Sequence, residues 1–152
     1  MGFLDFFKAD GQAGEMPWYD GLMSLAQAAP FLQDRLETHS TGQAGLLVRP
    51  RSTDLEGDGV AGLKLALNEY RDVSEKRWNI EPDDHGHYWV IARDETLEEL
   101  VVELCDLGNE LVVQGYEDSL IAAVFPLLWK ERRLYWIYNW TLSRFTPFVP
   151  AD

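Results

Sequence analysis

Two apolar segments near the C-terminus, residues 120–129 and 134–140, constrain this chain more than any other feature. Both are strand-sized, and the charged tetrapeptide between them, Lys130-Glu131-Arg132-Arg133, suits a hairpin loop. Side chains alternate across a strand. Leu134, Trp136, Tyr138 and Trp140 therefore share one side, and Tyr135 and Ile137 the other. The preceding strand is apolar on both sides too, with Leu120, Ala122, Val124 and Leu128 opposite Ile121, Ala123, Phe125 and Leu127. A sheet that is apolar on both faces needs cover on both. Either helices wrap both sides, or another molecule covers one of them. Trp136, Ile137, Tyr138 and Trp140 are accordingly candidate partner-binding residues, on whichever side stays uncovered.

The upstream pattern supplies the helices. Pro17 can begin one, and Trp18, Leu22, Leu25, Ala26 and Ala29 recur at helical spacing. Pro30 is expected to break or kink it, leaving a second piece at 31–36. Residues 44–49 read as a strand ended by Pro50. Asp58 can cap a helix carrying Val60, Leu63, Leu67, Tyr70 and Ser74. The turn-rich Pro82-Asp83-Asp84-His85-Gly86 leads into a strand at 87–93. The clearest helix follows. Thr96 with Glu99 forms a capping box, Leu97, Leu100, Val101, Leu104, Leu107 and Leu111 line one face, and Gly115 can stop it. A last extended piece covers 145–149. The order is helix, strand, helix, strand, helix, strand, strand. The expected fold is α+β, a single domain with a mainly antiparallel sheet and packed helices.

The domain is expected to span 17–152, behind an N-terminal apolar segment and flexible linker at 1–16. Residues 2–8 carry Phe3, Leu4, Phe6 and Phe7, with Asp5 and Lys8 directed elsewhere; 9–16 is small, polar and contains two glycines. A stretch of seven residues is too short for a stable isolated helix. These four side chains are therefore candidates either for partner docking or for capping an open end of the core. The start has neither a basic n-region nor a long apolar run, so a signal peptide is not expected. No run approaches the ~18 apolar residues of a spanning helix. A single cysteine excludes an intramolecular disulfide and fits a reducing compartment. The expected location is the cytoplasm, with any membrane association indirect, through a partner.

Charge narrows the partners. Asp and Glu number 26 against 13 Lys and Arg, a formal net charge of −13. Nucleic-acid affinity rests on cations neutralising phosphates, so nucleic acid is excluded, and broad docking on anionic lipid is disfavoured.

Motifs of chemistry are weak. Gly57-Asp58-Gly59-Val60-Ala61-Gly62 matches G-x-G-x-x-G. A dinucleotide site, however, sets the first glycine directly after a strand, and here Arg51 to Glu56 intervene. Asp83-Asp84-His85-Gly86-His87 has metal-ligating residue types, but zinc takes three or four ligands, and His39 lies in a distant loop. Cys105 sits among Leu104 and Leu107 and reads as a packed apolar residue rather than a nucleophile. Glu98, Glu99, Glu103, Asp106 and Glu110 read as a solvated helix face. No catalytic residue, cofactor or metal is assigned. The chain reads as a binding or adaptor protein; the alternatives are a small nucleotide- or metal-dependent enzyme and a cytosolic binding protein without a stress role.

Several stretches, in order, resemble a known family. Met1-Gly2-Phe3-Leu4-Asp5, then Asp84-His85-Gly86-His87-Tyr88-Trp89 through the helix to Asn109-Glu110-Leu111 and Gly115-Tyr116, then Leu134-Tyr135-Trp136-Ile137-Tyr138 running into Phe145-Thr146-Pro147-Phe148-Val149-Pro150, are similar to the phage-shock-protein-A-associated PspAB proteins. Together they cover roughly half of the chain. One departure is Thr141-Leu142-Ser143-Arg144, where the family tends to place a basic Lys-Arg-Gly. The resemblance implies a non-enzymatic, chaperone-like accessory of the envelope-stress (phage shock) response, with PspA as a possible protein partner. The order of elements also resembles that of the type III secretion chaperones, which implies a homodimer.

Overall fold

The computed structural model describes residues 17–50, 59–67 and 78–151. Helix α1 (Pro17–Leu36) leads into β1 (Thr38–Ser40) and β2 (Gln43–Val48), then α2 (Gly59–Ala66), β3 (Trp78–Pro82), β4 (Tyr88–Arg93) and α3 (Leu97–Val113). A 3₁₀ turn (Glu117–Ser119) enters β5 (Leu120–Trp129), β6 (Arg132–Asn139) and β7 (Arg144–Phe148). The strands form one sheet in the order β3-β4-β2-β5-β6-β7, with β1 added against the end of β5. Every pairing is antiparallel. The chain is an α+β single domain, as its pattern of elements implies.

Local differences from expectation have physical reasons. Helix α1 runs through Pro30 as one element. Pro30 is exposed, while Leu22, Leu25, Ala29 and Leu32 are buried on both sides of it. That continuous packing face offsets the lost backbone hydrogen bond. Strand β3 is short and ends at Pro82, which an edge position tolerates. The hairpin loop contains only Lys130 and Glu131, because β6 already begins at Arg132. Both loop residues have positive φ, 48° and 69°, as a two-residue hairpin turn of the mirror-image type requires. Tyr70 and Ser74, read as part of the second helix, and the cap Asp58 lie outside the described residues, as do Phe3, Leu4, Phe6 and Phe7.

Helix α3 has the ends its sequence encodes. Thr96 Oγ1 accepts the Glu99 N–H at 3.1 Å. The Glu99 carboxyl hydrogen-bonds to Asp94, which holds it above its ordinary value. At the other end, Gly115 (φ 88°) donates to Val112 O and Tyr116 to Leu111 O, closing a Schellman motif. Tyr116 is thereby buried against the core.

Strand register sorts the side chains into two faces. Leu46 pairs with Val90 on one flank and Ala123 on the other, and that row continues to Ile80, Tyr138 and Phe145. These residues, with Ala44, Val48, Ala92, Phe125 and Leu127, form one cluster with the apolar faces of α1, α2 and α3. Each fully buried aliphatic side chain there contributes about 1.5–3 kcal/mol. Trp18 joins the helix layer to the sheet. Its ring lies 5.6 Å from Trp140, and a Cβ added at Gly108 of α3 would meet it at 3.2 Å.

The β3–β4 turn is closed by a carboxylate. Asp83 Oδ1 accepts the backbone N–H groups of His85 (2.7 Å) and His87 (2.8 Å). The His87 N–H first, then that of His85, hold the Asp83 carboxyl below its ordinary value. A group with a depressed folded pKa adds stability above its unfolded value and loses it as pH falls through the folded one. Asp83→Ala is therefore expected to lower the melting temperature at neutral pH. The gap to wild type should close in the acid range, as both carboxyl-dependent contacts are protonated away. A gap that persists unchanged below that range would show that the turn does not depend on this carboxylate.

Candidate functional site

The second face of the sheet is where the structure departs from an ordinary two-layer domain. In the register that places Leu46, Val90 and Ala123 inward, the neighbouring row is Gly45, Ile91, Val124 and Ile137. Leu47 and Trp89 flank it on one side, Pro126 and Tyr135 on the other. None of these residues belongs to the helix-packed core cluster. The described helices all lie on the opposite side, so no described helix covers this face. Its side chains are half-buried. Trp89 lies against β2: a Cβ at Gly45 would stand 3.0 Å from its Cε3, so a side chain there would require the ring to shift. The Tyr135 and Phe148 rings, 6.2 Å apart, extend the apolar surface to the edge strand.

The rim is polar. Arg93 Nη1 donates to Asn79 Oδ1 at 2.5 Å, and Asn79 Nδ2 donates to Glu81 Oε1 at 2.9 Å, along the β3–β4 side. Arg133 and Arg144 stand at the two ends of the β6 row. An apolar centre with a polar rim is the anatomy of a protein-binding surface.

The sequence-level candidates divide between the two faces. Ile137 lies on the uncovered one. Tyr138, 1% exposed, is in the core, and Trp136 and Trp140 pack against that core on the helix side. Their aromatic crowding is internal: Tyr138 lies 5.4 Å from Trp140 and 5.2 Å from Phe145. Leu47, Trp89 and Ile91 were not among the candidates. Their signals are the apolar runs 44–48 and 88–92, which mark strands apolar on both sides.

Chemistry elsewhere is sparse. Burial pushes the Cys105 thiol up to about 12, so it stays protonated at neutral pH; Sγ lies 4.0 Å from the Tyr19 carbonyl. Burial also raises the Asp106 carboxyl, and Glu98, Glu103 and Glu110 are half-buried, so this acidic face of α3 is less solvated than its sequence implies. Asp83, His85 and His87 are engaged in the turn. Among the described residues no group of three or more His, Cys, Asp or Glu is placed to hold a metal ion. A cavity of about 200 Å³ between Leu36, Thr38, Trp129, Leu134 and Val149 is smaller than the roughly 300–1,000 Å³ of small-molecule sites. No titratable group lines it. No described helix is long and apolar enough to cross a membrane.

A family model described as PspAB, PspA associated protein B, matches residues 1–152. The chain belongs to that family. The match spans the whole chain. Among curated proteins and among solved structures nothing matches the chain significantly.

Proposed function

We propose that this family member is a non-enzymatic adaptor of the phage-shock response, which captures PspA on the uncovered face of its sheet. The observation that carries the reading is that face: an apolar centre built from Leu47, Trp89, Ile91, Val124 and Ile137, with no described helix over it. The family description supports PspA as the partner. An amphipathic helix laid across such a surface uses apolar anchors and needs no catalytic residue. Acting from the cytoplasm, the adaptor would reach the membrane only through its partner, since a net charge of −13 opposes anionic lipid.

Purified PspA titrated into the purified protein tests this directly. Ile137→Glu should weaken binding by at least tenfold, because it sets an unpaired charge at the centre of the contact. Glu at exposed Gln27, on α1, should leave binding unchanged. Absence of PspA binding, or equal loss from both variants, would sink the proposal. Sedimentation over a range of concentrations, run alongside, reports whether a second copy occupies the face instead.

A further inference from the structure

Charge is divided unevenly between the sheet and the rest of the chain. The described strands hold one acid, Glu81, against four arginines, Arg93, Arg132, Arg133 and Arg144. The whole sequence has the opposite balance, 26 acids against 13 Lys and Arg. Register sets three of these arginines on the uncovered face. Arg93 lies two positions beyond Ile91, Arg133 pairs with Leu128, and Arg144 pairs with Asn139. Glu81, opposite Trp89, joins them, so three arginines stand against one glutamate, a net of +2.

The two sides of the face use this charge differently. Arg93 is engaged with Asn79, which also holds Glu81, so the β3–β4 side is neutralised internally. Arg133 and Arg144 are exposed, and neither guanidinium is engaged by an acid among the described residues. Arg133 and the Asn139–Arg144 pair lie six residues apart along β6, a span of about 20 Å. Tyr135 and Ile137 lie between them on the same side.

Screening decides which charge a partner meets. The acids of α1 and α3 lie across the sheet, about 10 Å away by layer spacing. The Debye length at physiological salt is about 8 Å, so those acids are largely screened at this face. Lys130 and Glu131, in the hairpin loop, cancel each other. A second copy packed face to face would set the same arginines against these. An anionic bilayer meets the field of the whole chain, whereas a single helix meets only the face.

We infer that the uncovered face takes an acidic amphipathic helix, its apolar side chains on Val124, Tyr135 and Ile137 and its carboxylates paired with Arg133 and Arg144. This rests on the docking reading above and adds the chemistry of the segment that docks. A helix rises 1.5 Å per residue, so about 13 residues bridge the two arginines. Carboxylates near both ends, with apolar residues at i, i+3, i+4 and i+7 between them, form the pattern the face selects. The arginines steer and orient such a helix, and a basic one is rejected in spite of the chain's overall charge.

Two designed peptides of about 15 residues test this, with the same leucine spacing and blocked termini, one carrying Glu at both ends and the other Lys. Titrated into the full chain, the Glu peptide should bind about tenfold more tightly, with an advantage that shrinks as salt rises. Tighter binding of the Lys peptide overturns the inference, because net charge would then govern. Equal binding, or binding of neither, overturns it too. Arg133→Glu with Arg144→Glu, checked for folding by circular dichroism, should reverse the preference, whereas Arg133→Lys with Arg144→Lys should retain it. Should the reversed variant fail to fold, Gln at both positions should abolish the preference. A preference that none of these changes moves overturns the inference. So does arginine-dependent binding to phosphatidylglycerol vesicles in place of the Glu peptide, which would assign the face to lipid. Purified PspA separates the two readings. PspA bound equally by the wild-type and charge-reversed chains leaves the proposed function standing and overturns this inference. PspA that does not bind overturns the proposed function, and the peptide preference still decides the chemistry of the face.

Discussion

Glutamate at Tyr138 will unfold the domain, whereas glutamate at Ile137, one position earlier, will leave it folded. The two side chains point to opposite faces of β6. Tyr138 is 1% exposed, its ring within 5.4 Å of Trp140 and 5.2 Å of Phe145, and α1 crosses it at Gly21. Removing the ring forfeits packing worth about 3–5 kcal/mol, and an unpaired carboxylate left in its place adds a further penalty of several kcal/mol. Together these are comparable with the whole stability of a domain, roughly 5–15 kcal/mol. Ile137 is half-buried between Val124 and Thr146 on the face without a described helix. Its replacement forfeits about 1 kcal/mol of partial burial. Circular dichroism and urea titration of the two variants check the pair. A folded Tyr138→Glu chain, or an unfolded Ile137→Glu chain, would reverse the assignment of the two faces.

The second large effect is expected at Trp18, which is 5% exposed and pinned between Gly108 of α3, Tyr19 and Trp140. Trp18→Ala should cost about 3–5 kcal/mol, because it opens a cavity where three elements meet. Gly108→Leu alone should also destabilise, by about 1–3 kcal/mol, since its Cβ would already stand 3.2 Å from the Trp18 ring. Combined, the two changes should partly cancel: the leucine enters the space the indole vacates. A favourable coupling of about 0.5–3 kcal/mol in the double-mutant cycle is expected. Strict additivity would mean that the two sites do not share a cavity.

Much of this fold was legible because its local signals agree. The capping threonine and terminal glycine of α3 are both used, at Thr96 and Gly115. The alternation of β5 and β6 places Phe125 and Tyr138 together, as their spacing implies. Legibility failed where a long-range contact outweighs a local rule. Pro30 signals an end to α1, yet Ala29 and Leu32 are held by the core on either side of it. The hairpin loop was legible at 130–133 but its length was not: the pairing of Trp129 with Arg132 confines it to Lys130 and Glu131 and sets both at positive φ. Strand β3 alternates Trp78 and Ile80 with Asn79 and Glu81, and its partner is what makes it a strand.

The candidate site divides along the same line. That both sides of the C-terminal hairpin are apolar, and that the chain carries a formal charge of −13 and a single cysteine, follows from the sequence by itself. Which side faces solvent or a partner does not. A period of two identifies the residues that share a face, but it is symmetric between the faces. The symmetry is broken only when α1, α2 and α3 all settle on one side of the sheet, burying Tyr138 and leaving Ile137 on the other. That choice depends on contacts between residues more than a hundred positions apart, such as Gly21 with Tyr138, and no local pattern encodes it.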